Sequence, residues 1–544
     1  MAVVEFALDD LENLVGRKLS DKEIEEFVPM MGCPLEKIEG KKVYYEIFPN
    51  RPDLLSTEGF ARAIRTFLGI TKGLVQYQTT KSGIRLYVKK VDVRPHIVAA
   101  VVRNAKLNDY VINSLIQLQE KIHETFGRKR KKIAIGIHDL DKVKPPFTYK
   151  AVKPKEIKFV PLDMKEKLTL DEILAEHPKG KEYAHILKGA KQYPIILDKN
   201  NNVLSFPPII NGELTRVTQH TKNLFIDITG TSYLAINQAL NILVTSLAER
   251  GFSVETVEII EKTKKVTPDL RPWKIRVSLD YVNELLDLDL NQQEFKDIIS
   301  KMGFGFDGSV IIPSYRVDIM HELDIVEEVA IGKGYWTFEP RIPKVPTIAV
   351  REKTTDFLYY LREIMTSLGF QEVVNMILTN KDDEFKKMNR KEEDVCETLN
   401  PVTVECTICR KYLLPSLIKT FSQNKHRKYP QKIFEIGDVL IPDEKAETGA
   451  TIRKKLAIGV SNSKISYEEL SSVIDAFFHN LGIKYSLKKS EHSSFINGRC
   501  ADIFVGKQFA GVIGELNPIV INNWKLEKPV VAMEMNLEEI INIT

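Results

Sequence analysis

The spacing of hydrophobic residues changes along the chain, and each change predicts a different kind of element. Apolar positions at helical spacing predict helices over residues 109–126 and 232–250. β-rich runs are interleaved with these helices, at 97–102, 133–137 and 193–197. Residues from about 85 to 260 therefore form a predicted region in which strands and helices alternate. Beyond residue 351 helices again alternate with predicted strands, at 432–436, 456–460 and 530–535.

One hydrophobic pattern occurs twice, 271 positions apart. The first copy contains Leu8, Asp9, Leu14, Leu19, Glu23, Met31 and Gly32, and these recur as Leu279, Asp280, Leu285, Leu290, Glu294, Met302 and Gly303. Ser20 and Asn291 occupy matching positions, and both are good residues to cap the start of a helix. Each copy predicts a helix, a capped second helix and strands, so one small fold is used twice.

A group of four carboxylates follows the second copy: Asp318, Asp324, Glu327 and Glu328. In a helix from Glu322 onward, the last three fall at i, i+3 and i+4 on one face, where like charges repel by a few tenths of a kcal/mol. Ile325, Val329 and Ala330 would pack on the other face. Oxygen-only clusters suit Mg²⁺. The alternative is a solvated acidic helix face.

The first copy lacks most of these acids. Arg51-Pro52-Asp53 aligns with Arg316-Val317-Asp318, and the other three acidic positions then fall on Gly59, Arg62 and Ala63. A solvated face would serve either copy equally well. Their concentration in one copy favours a binding site.

Composition narrows the class of protein. A length of 544 residues predicts about three to five domains, and 43% hydrophobic with 28% charged residues is typical of globular proteins. A net charge of +4 does not by itself indicate nucleic-acid binding. The basic run 128–132 suits phosphate contacts or a solvated loop. Without a signal-like start or a long apolar run, we expect a cytoplasmic protein that does not enter membranes.

Polar residues concentrate between 207 and 232, in the segment PPIINGELTRVTQHTKNLFIDITGTS. Asn211, Thr215, Asp227, Thr229 and Thr231 stand there between short apolar runs. Local structure explains part of the pattern, because Asn-Gly favours a turn and a Thr-Ser pair suits a helix start. A pocket that forms hydrogen bonds with a ligand is the alternative.

This segment resembles the editing domain of the β subunit of phenylalanine–tRNA ligase, archaeal and eukaryotic type. IGIHDLDKV at 135–143 is similar to a second signature of that domain. EIFPNRPDLLSTEGFARAI at 46–64 and LLPSLIKTFSQNKHRKYPQKIFEIGDVL at 413–440 resemble its N-terminal and C-terminal regions. The resemblance runs in order along essentially the whole chain.

The resemblance implies an enzyme subunit that hydrolyses tyrosine wrongly attached to tRNA(Phe), while the α subunit binds ATP and attaches phenylalanine. The candidate catalytic residues are Asn211, Asp227 and Thr229, with Thr231 and Arg216 as further lining. No Ser-His-Asp arrangement is evident in the sequence, which favours a positioned water over a covalent intermediate.

The resemblance also implies partners and a metal. Asp318, Asp324, Glu327 and Glu328 match the family's Mg²⁺ ligands, and the ion is shared with the α subunit. The expected assembly is an α₂β₂ heterotetramer that binds tRNA(Phe).

The predicted fold class is multidomain α+β. It comprises an N-terminal module at 1–84, an α/β editing domain at 85–265, a repeated magnesium-site module at 266–345 and a class II synthetase-like antiparallel α/β domain at 346–544. The last domain lacks an Arg-x-Glu and a late arginine for ATP, so it is predicted to be catalytically silent. A non-enzymatic tRNA-binding scaffold with an inactive editing site is the alternative function. A hydrolase centred on the acidic cluster is disfavoured, because no general base or phosphate-binding loop stands near it.

Overall fold

The computed structural model describes residues 2–345 and 347–541. It contains two compact units, Met1–Ile342 and Pro343–Thr544. The predicted domain boundary at residue 346 falls on Pro346, which lies outside the described residues, as do the terminal residues 1 and 542–544.

The first unit contains strands β1–β18 and helices α1–α9. The strands are β1 Ala2–Ala7, β2 Leu35–Glu39, β3 Lys42–Ile47, β4 Thr80–Val88, β5 His96–Arg103, β6 Ile133–Asp139, β7 Phe147–Val152, β8 Lys158–Phe159, β9 Leu168–Thr169, β10 Tyr193–Leu197, β11 Val203–Phe206, β12 Ile210–Asn211, β13 Leu224–Gly230, β14 Ser253–Ile260, β15 Lys264–Thr267, β16 Trp273–Ile275, β17 Gly305–Phe306 and β18 Val310–Ile312. The α-helices are α1 Leu8–Val15, α2 Thr57–Phe67, α3 Asp109–Glu124, α4 Leu170–Glu176, α5 Pro178–Tyr183, α6 Tyr233–Glu249, α7 Leu279–Leu286, α8 Gln292–Lys301 and α9 Glu322–Lys333.

The two repeated segments have the same sheet order. β1, β3 and β2 form a three-stranded sheet with β3 in the middle, and β16, β18 and β17 form another with β18 in the middle. Asn291 caps α8 in a reciprocal capping box with Glu294. Ser20 and Glu23 exchange the same pair of contacts in the first copy. Asn291 therefore caps α8 as the pattern predicts, whereas the contacts of Ser20 precede a short π-helix, Glu23–Phe27, instead of an α-helix.

A ten-stranded sheet forms the centre of the first unit, in the order β12-β11-β10-β7-β4-β14-β5-β13-β6 with β15 beside β14. Apolar residues of β6 and β13 alternate between its two faces. Ile135 and Ile226 belong to the large core with α3 and α6, whereas Phe225 packs in a separate core with Phe147. α3 and α6 confirm the predicted helices, and α6 begins at the cap Ser232.

Two strands end this sheet, β6 on one side and β12 on the other. In β6, side chains of α3 bind the outward backbone groups of Ile135. The backbone N–H of Ile135 donates to His123 Nε2 at 2.8 Å, and its carbonyl accepts from Gln119 at 2.9 Å. An edge strand covered in this way does not present a free template for pairing with another chain.

The second unit contains strands β19–β27 and helices α10–α14. The strands are β19 Gln371–Glu372, β20 Leu378–Thr379, β21 Ile408–Cys409, β22 Gln431–Pro442, β23 Ala450–Ser461, β24 Tyr485–Lys489, β25 Phe495–Val505, β26 Gln508–Leu516 and β27 Val530–Asn536. The helices are α10 Lys353–Ser367, α11 Leu414–Gln423, α12 Tyr467–Leu481, α13 Pro518–Asn523 and α14 Glu538–Ile541.

A seven-stranded sheet organises the second unit, in the order β19-β22-β23-β27-β26-β25-β24. All of its pairings are antiparallel except β19 with β22. β22, β23 and β27 contain the strands that the sequence predicts. One apolar core contains α10 and α12, and another contains α11. The chain is thus a multidomain protein of mixed α/β architecture. In the part of the chain that the structure describes, no helix has the length and apolar character to cross a bilayer.

Candidate active site

A cavity of about 340 Å³ lies in the first unit, between α3, β6 and the segment from Ser205 to Val217. Its size is within the usual range for pockets that bind small molecules. The wall contains apolar residues of α3 and β6 together with polar groups. Its polar lining includes Glu120, Arg130, Ser205, Asn211, Thr215 and Asp227. Two of the three predicted catalytic residues, Asn211 and Asp227, therefore line the same cavity.

Asp227 belongs to a buried chain of hydrogen bonds. Its Oδ1 lies 2.8 Å from His138 Nε2, and His138 Nδ1 lies 2.8 Å from Thr215 Oγ1. All three residues are at most 1% exposed. The antiparallel register explains the contact, because Asp227 faces Gly136 and Phe225 faces His138. Asp227 and His138 are thus diagonal neighbours on one face of the sheet.

Gly136 provides the space for this contact. A Cβ atom at residue 136 would lie 2.5 Å from Asp227 Oδ1 and 2.8 Å from His138 Nε2. Real Cβ atoms do not approach heavy atoms so closely. A glycine at this position allows the carboxylate and the imidazole to meet above the strand.

The imidazole has a partner for either protonation state. A neutral His138 donates from Nε2 to the Asp227 carboxylate and accepts the Thr215 hydroxyl proton at Nδ1. A protonated His138 donates from both nitrogens, and the Thr215 hydroxyl then donates to the carbonyl of Gly212, 3.2 Å away. The pair therefore accommodates a proton without leaving a buried polar group unpaired.

Asn211 connects the two end strands of the sheet. Its Nδ2 donates to the carbonyl of Ile137 at 3.3 Å, which links β12 to β6. Its backbone pairs with Ser205 in the neighbouring strand β11. Asn211 thus lines the cavity and also holds one of its walls in place.

Thr229, the third predicted catalytic residue, is fully buried and is not among the residues that line the cavity. Its hydroxyl accepts from Arg94 Nε at 3.2 Å, and its carbonyl accepts from Arg94 Nη2 at 2.7 Å. Burial lowers the pKa of Arg94 to about 10. Of the further candidates, Arg216 lines the cavity and pairs with Asp163 and Glu213, whereas Thr231 is not part of its lining.

His138 is a site residue that was not predicted from the sequence. The segment 135–143 was predicted to belong to the editing domain only by resemblance, and no triad-like arrangement was evident in the sequence. The structure assembles a Thr215–His138–Asp227 chain from residues 77 and 89 positions apart. The signal that was available is a polar histidine in the run Ile133–Asp139, which is otherwise typical of a buried strand.

In the acidic cluster, two of the four carboxylates are bound by an arginine of the same chain. The helix from Glu322 is confirmed, and Ile325, Val329 and Ala330 pack inward as predicted. Arg316, 3% exposed, binds two of the four carboxylates. It donates to Asp318 at 2.9 and 2.6 Å and to Glu328 at 3.0 and 2.6 Å. The guanidinium thus lies between the buried Glu328 and the partly buried Asp318.

The other two acids lie toward solvent. Asp324 Oδ2 accepts the backbone N–H groups of Met320 and His321, both at 2.7 Å, and so caps the start of α9. Glu327 is exposed. Over residues 2–345 and 347–541, no three or more His, Cys, Asp or Glu side chains are arranged to hold a metal ion. The four carboxylates in this chain alone do not form a complete magnesium site.

The first repeat contains the same arginine–aspartate pair. Arg51 donates to both oxygens of Asp53 at 2.9 Å, as Arg316 does to Asp318. The two pairs lie near each other. Burial and the repulsion from Arg316 lower the pKa of Arg51, but Asp53 and Asp318 raise it by more, so the net shift is upward.

Comparisons with known proteins cover the chain from end to end. The family model for the B3/4 domain matches residues 83–260, the model for the tRNA synthetase B5 domain matches 275–335, and the model for the phenylalanyl tRNA synthetase beta chain CLM domain matches 339–537. The phenylalanine–tRNA ligase β subunit of Methanocaldococcus jannaschii is 44% identical over 99% of this chain and 100% of its own length. The corresponding subunit of Pyrococcus horikoshii is 43% identical over 99% of each chain.

One solved structure is also similar. It is the crystal structure of an N-terminal fragment of the phenylalanyl-tRNA synthetase β subunit from Pyrococcus horikoshii. The TM-score is 0.59 with 44% sequence identity, and the match covers 61% of this chain and 99% of the fragment.

Proposed function

This chain belongs to the family of phenylalanine–tRNA ligase β subunits, and we propose that it hydrolyses tyrosine from mischarged tRNA(Phe) in the cavity beside Asp227. As a β subunit it is a member of a ligase complex and works with an α subunit. The observation that carries the proposal is the buried Asp227–His138–Thr215 chain beside the cavity, two of whose residues, Asp227 and Thr215, line it.

Editing is needed because tyrosine and phenylalanine are nearly equal in size and differ only in one polar group. Tyrosine differs from phenylalanine by one hydroxyl group, and an apolar synthetic pocket rejects an added hydroxyl only modestly. A second pocket that binds the hydroxyl group rejects phenylalanine, because its polar groups would stay unpaired at a cost of about 1–3 kcal/mol each. The polar lining of the cavity suits this second task.

The proposed reaction is hydrolysis of the ester between tyrosine and the terminal ribose. Asp227 accepts a proton from a water molecule as the water oxygen attacks the ester carbonyl carbon. It then returns this proton to the ribose oxygen as the bond between that oxygen and the carbonyl carbon breaks. His138 holds the Asp227 carboxylate through Nε2 and shares the proton that it gains. His138 lies behind Asp227 and is absent from the cavity lining, so it acts as a positioning residue.

Thr215 offers a second route, because its hydroxyl is bonded to the imidazole and also lines the cavity. In that route Thr215 Oγ1 gives its proton to His138 Nδ1 and attacks the ester carbonyl carbon, and the ribose oxygen leaves with that proton. Water then hydrolyses the acyl-enzyme and restores the Thr215 hydroxyl. Thr215→Val keeps the shape of the side chain and removes the oxygen. Retained hydrolysis in this variant supports the water route, and an isolated tyrosyl-threonine intermediate supports the second.

The first experiment measures hydrolysis of tyrosyl-tRNA(Phe) and phenylalanyl-tRNA(Phe) by the full chain, alone and with its α subunit. We expect selective loss of tyrosine that Asp227→Asn abolishes. Asp198→Asn is the matched control, because Asp198 is a buried aspartate of the same unit outside the cavity lining. No hydrolysis by the wild-type complex, in a preparation that attaches phenylalanine, would favour the scaffold alternative.

We also propose that Mg²⁺ binds at the acidic cluster in the assembled enzyme, where ligands from the α subunit complete the site. Glu327 and the Oδ1 atom of Asp324 are the groups that this chain offers, since Arg316 occupies Asp318 and Glu328. Mg²⁺ commonly takes only one or two carboxylates and keeps several waters. Calorimetric titration of Mg²⁺ should show binding to the complex, weak binding to the chain alone, and loss in Glu327→Gln.

The second unit is proposed to be the silent synthetase-like domain that contacts the α subunit, in an α₂β₂ assembly that binds tRNA(Phe) and uses ATP on the α subunit. Its antiparallel sheet with flanking helices supports this. Sedimentation of the purified complex tests the stoichiometry, and photo-crosslinking of ATP to the two subunits tests which one binds it.

A further inference from the structure

Two cysteines of the second unit, Cys396 and Cys409, face each other across an antiparallel pairing. Glu397 and Ile408 form an antiparallel bridge, and the residues that flank such a bridge also oppose each other. The backbone N–H of Cys409 donates to the carbonyl of Cys396 at 2.8 Å, as this register requires. Both thiols are free. The pairing therefore places one free cysteine directly opposite another.

The distance between opposed residues suits a disulfide. In an antiparallel pair joined by backbone hydrogen bonding, the two Cα atoms lie about 5.5 Å apart. Disulfides link residues whose Cα atoms are about 4.4–6.8 Å apart. Burial raises the pKa of Cys409, and a negative charge on Cys396 raises it further, which also indicates that the two sulfur atoms are near each other. A bond between them needs little change in the pairing of the strands.

The surrounding contacts hold both backbones in place. β21, which consists of Ile408 and Cys409, pairs on its other side with β20. Val395 and Ile408 pack with Phe385 in a small apolar core. Since side chains alternate between the two faces of extended backbone, Cys396 and Cys409 lie on the face turned away from that core. Both residues are partly exposed, so a small oxidant can reach them.

The other three cysteines are less suited to this chemistry. Burial raises the pKa of the Cys33 thiol to about 12, and the buried Cys500 donates from Sγ to the carbonyl of Ser490 at 3.0 Å. Cys406 is partly exposed but precedes β21 and lies outside the bridge. In the part of the chain that the structure describes, no three or more His, Cys, Asp or Glu side chains are arranged to hold a metal ion, so the three neighbouring cysteines are not a metal site.

The opposed pair stands at the base of an exposed apolar loop. Leu399, Val402 and Val404 are 92%, 97% and 83% exposed. A bond between Cys396 and Cys409 would close this segment into a ring and reduce the number of conformations that it can adopt. Oxidation of the pair therefore changes the freedom of a loop that presents three apolar side chains to solvent.

We propose that Cys396 and Cys409 form a reversible disulfide on exposure to a peroxide, and that this bond restricts the loop between them. The peroxide oxidises one thiol to a sulfenic acid, and its O–O bond breaks to release one molecule of water. The second thiol attacks the sulfenic sulfur, which forms the S–S bond and releases a second water. In all, the two thiols lose two electrons and two protons, and hydrogen peroxide accepts them. The site lies in the second unit and does not depend on the proposed editing function.

The test treats the full chain with hydrogen peroxide and counts its free thiols after denaturation with a chromogenic disulfide reagent. The reduced chain has five free cysteines, so we expect three after treatment and five again after reduction by dithiothreitol. Mass spectrometry of proteolytic peptides should identify the link between Cys396 and Cys409, with the mass of two hydrogen atoms lost. Cys406→Ser is the matched control, because it removes a partly exposed thiol of the same loop, and it should lose two thiols as the wild type does. Cys409→Ser should form no internal disulfide.

The effect on the loop is measured by amide hydrogen exchange of residues 397–408. We expect slower exchange in the oxidised chain, reversed by dithiothreitol and absent in peroxide-treated Cys409→Ser. Retention of five thiols after treatment would overturn the proposal, as would a disulfide that contains Cys406 or joins two chains. Equal exchange in the oxidised and reduced chains would overturn the restriction of the loop. The peptide map uses the wild-type chain, so its outcome does not depend on the folding of a variant.

Discussion

Gly136→Ala tests whether the contact between Asp227 and His138 matters for hydrolysis. The added Cβ would lie 2.5 Å from Asp227 Oδ1, whereas ordinary contact begins at 3.4 Å, so the carboxylate must move by about 0.9 Å. Both neighbouring side chains are buried and tightly surrounded. A misplacement of about 1 Å in a catalytic group costs about 100-fold in rate. We therefore expect a loss of about 100-fold in tyrosyl-tRNA(Phe) hydrolysis.

The assay for Gly136→Ala is single-turnover hydrolysis at saturating enzyme, so that substrate binding does not limit the rate. Circular dichroism and thermal melting check that the fold persists. Gly305→Ala is the matched control, since its Cβ would lie 3.2 Å from the side chain of Ile311 and 3.5 Å from that of Leu74, away from the cavity. A wild-type rate in Gly136→Ala would refute the idea that the Asp227–His138 geometry drives hydrolysis.

Three further predictions concern stability. Arg316→Met leaves the buried Glu328 and the partly buried Asp318 without their cation, so it should lower the free energy of unfolding by about 3–5 kcal/mol, measured by urea denaturation. A loss below about 1 kcal/mol would contradict this. Burial raises the pKa of Glu384 to about 7, so its stabilising contribution is present below about pH 4.5 and is lost as the pH rises through 7. Thermal melting across pH 4–8 should show this loss, and Glu384→Gln should remove it. Asn291→Ala breaks the capping box of α8 and should cost about 1 kcal/mol in the same urea assay, whereas the exposed change Gln293→Ala should cost much less.

Helices were predictable where the chain has a strong period and a local cap. α3, α6 and α9 follow from apolar spacing, and Ser232 and Asn291 cap through contacts within three residues. The repeat was predictable for the same reason, because each copy shows the same spacing of apolar and capping residues along the sequence. Such signals depend on neighbours in sequence and need no knowledge of strand pairing.

The site was only partly predictable, because it depends on register. Asp227 and His138 meet through the pairing of β13 with β6, and a shift by one residue would direct His138 to the opposite face. Thr229 follows Asp227 by two residues and so shares its face of the strand, yet Arg94, from a distant segment, binds it. Arg130 was visible as part of a basic run, but nothing local indicates that it alone turns inward while Arg128 and Lys129 stay exposed.

The charge of the acidic cluster also depends on contacts between residues that are distant in sequence, and this charge matters for the proposed Mg²⁺ site. In the first repeat, Arg51 meets one carboxylate, that of Asp53, and the pair is neutral. In the second repeat, Arg316 meets two, Asp318 and Glu328, so the equivalent set has one more negative charge. Asp324 and Glu327 lie on the same helix and add to it. The positive charge of Arg316 therefore does not neutralise the four carboxylates, and a bound metal ion can still add to it. Arg316 holds two acids in place, and the set keeps a net negative charge that suits Mg²⁺. We therefore expect Arg316→Met to weaken Mg²⁺ binding by the complex, because the acids lose their fixed positions. If Arg316 instead competed with Mg²⁺ for the acids, the same variant would bind Mg²⁺ more tightly.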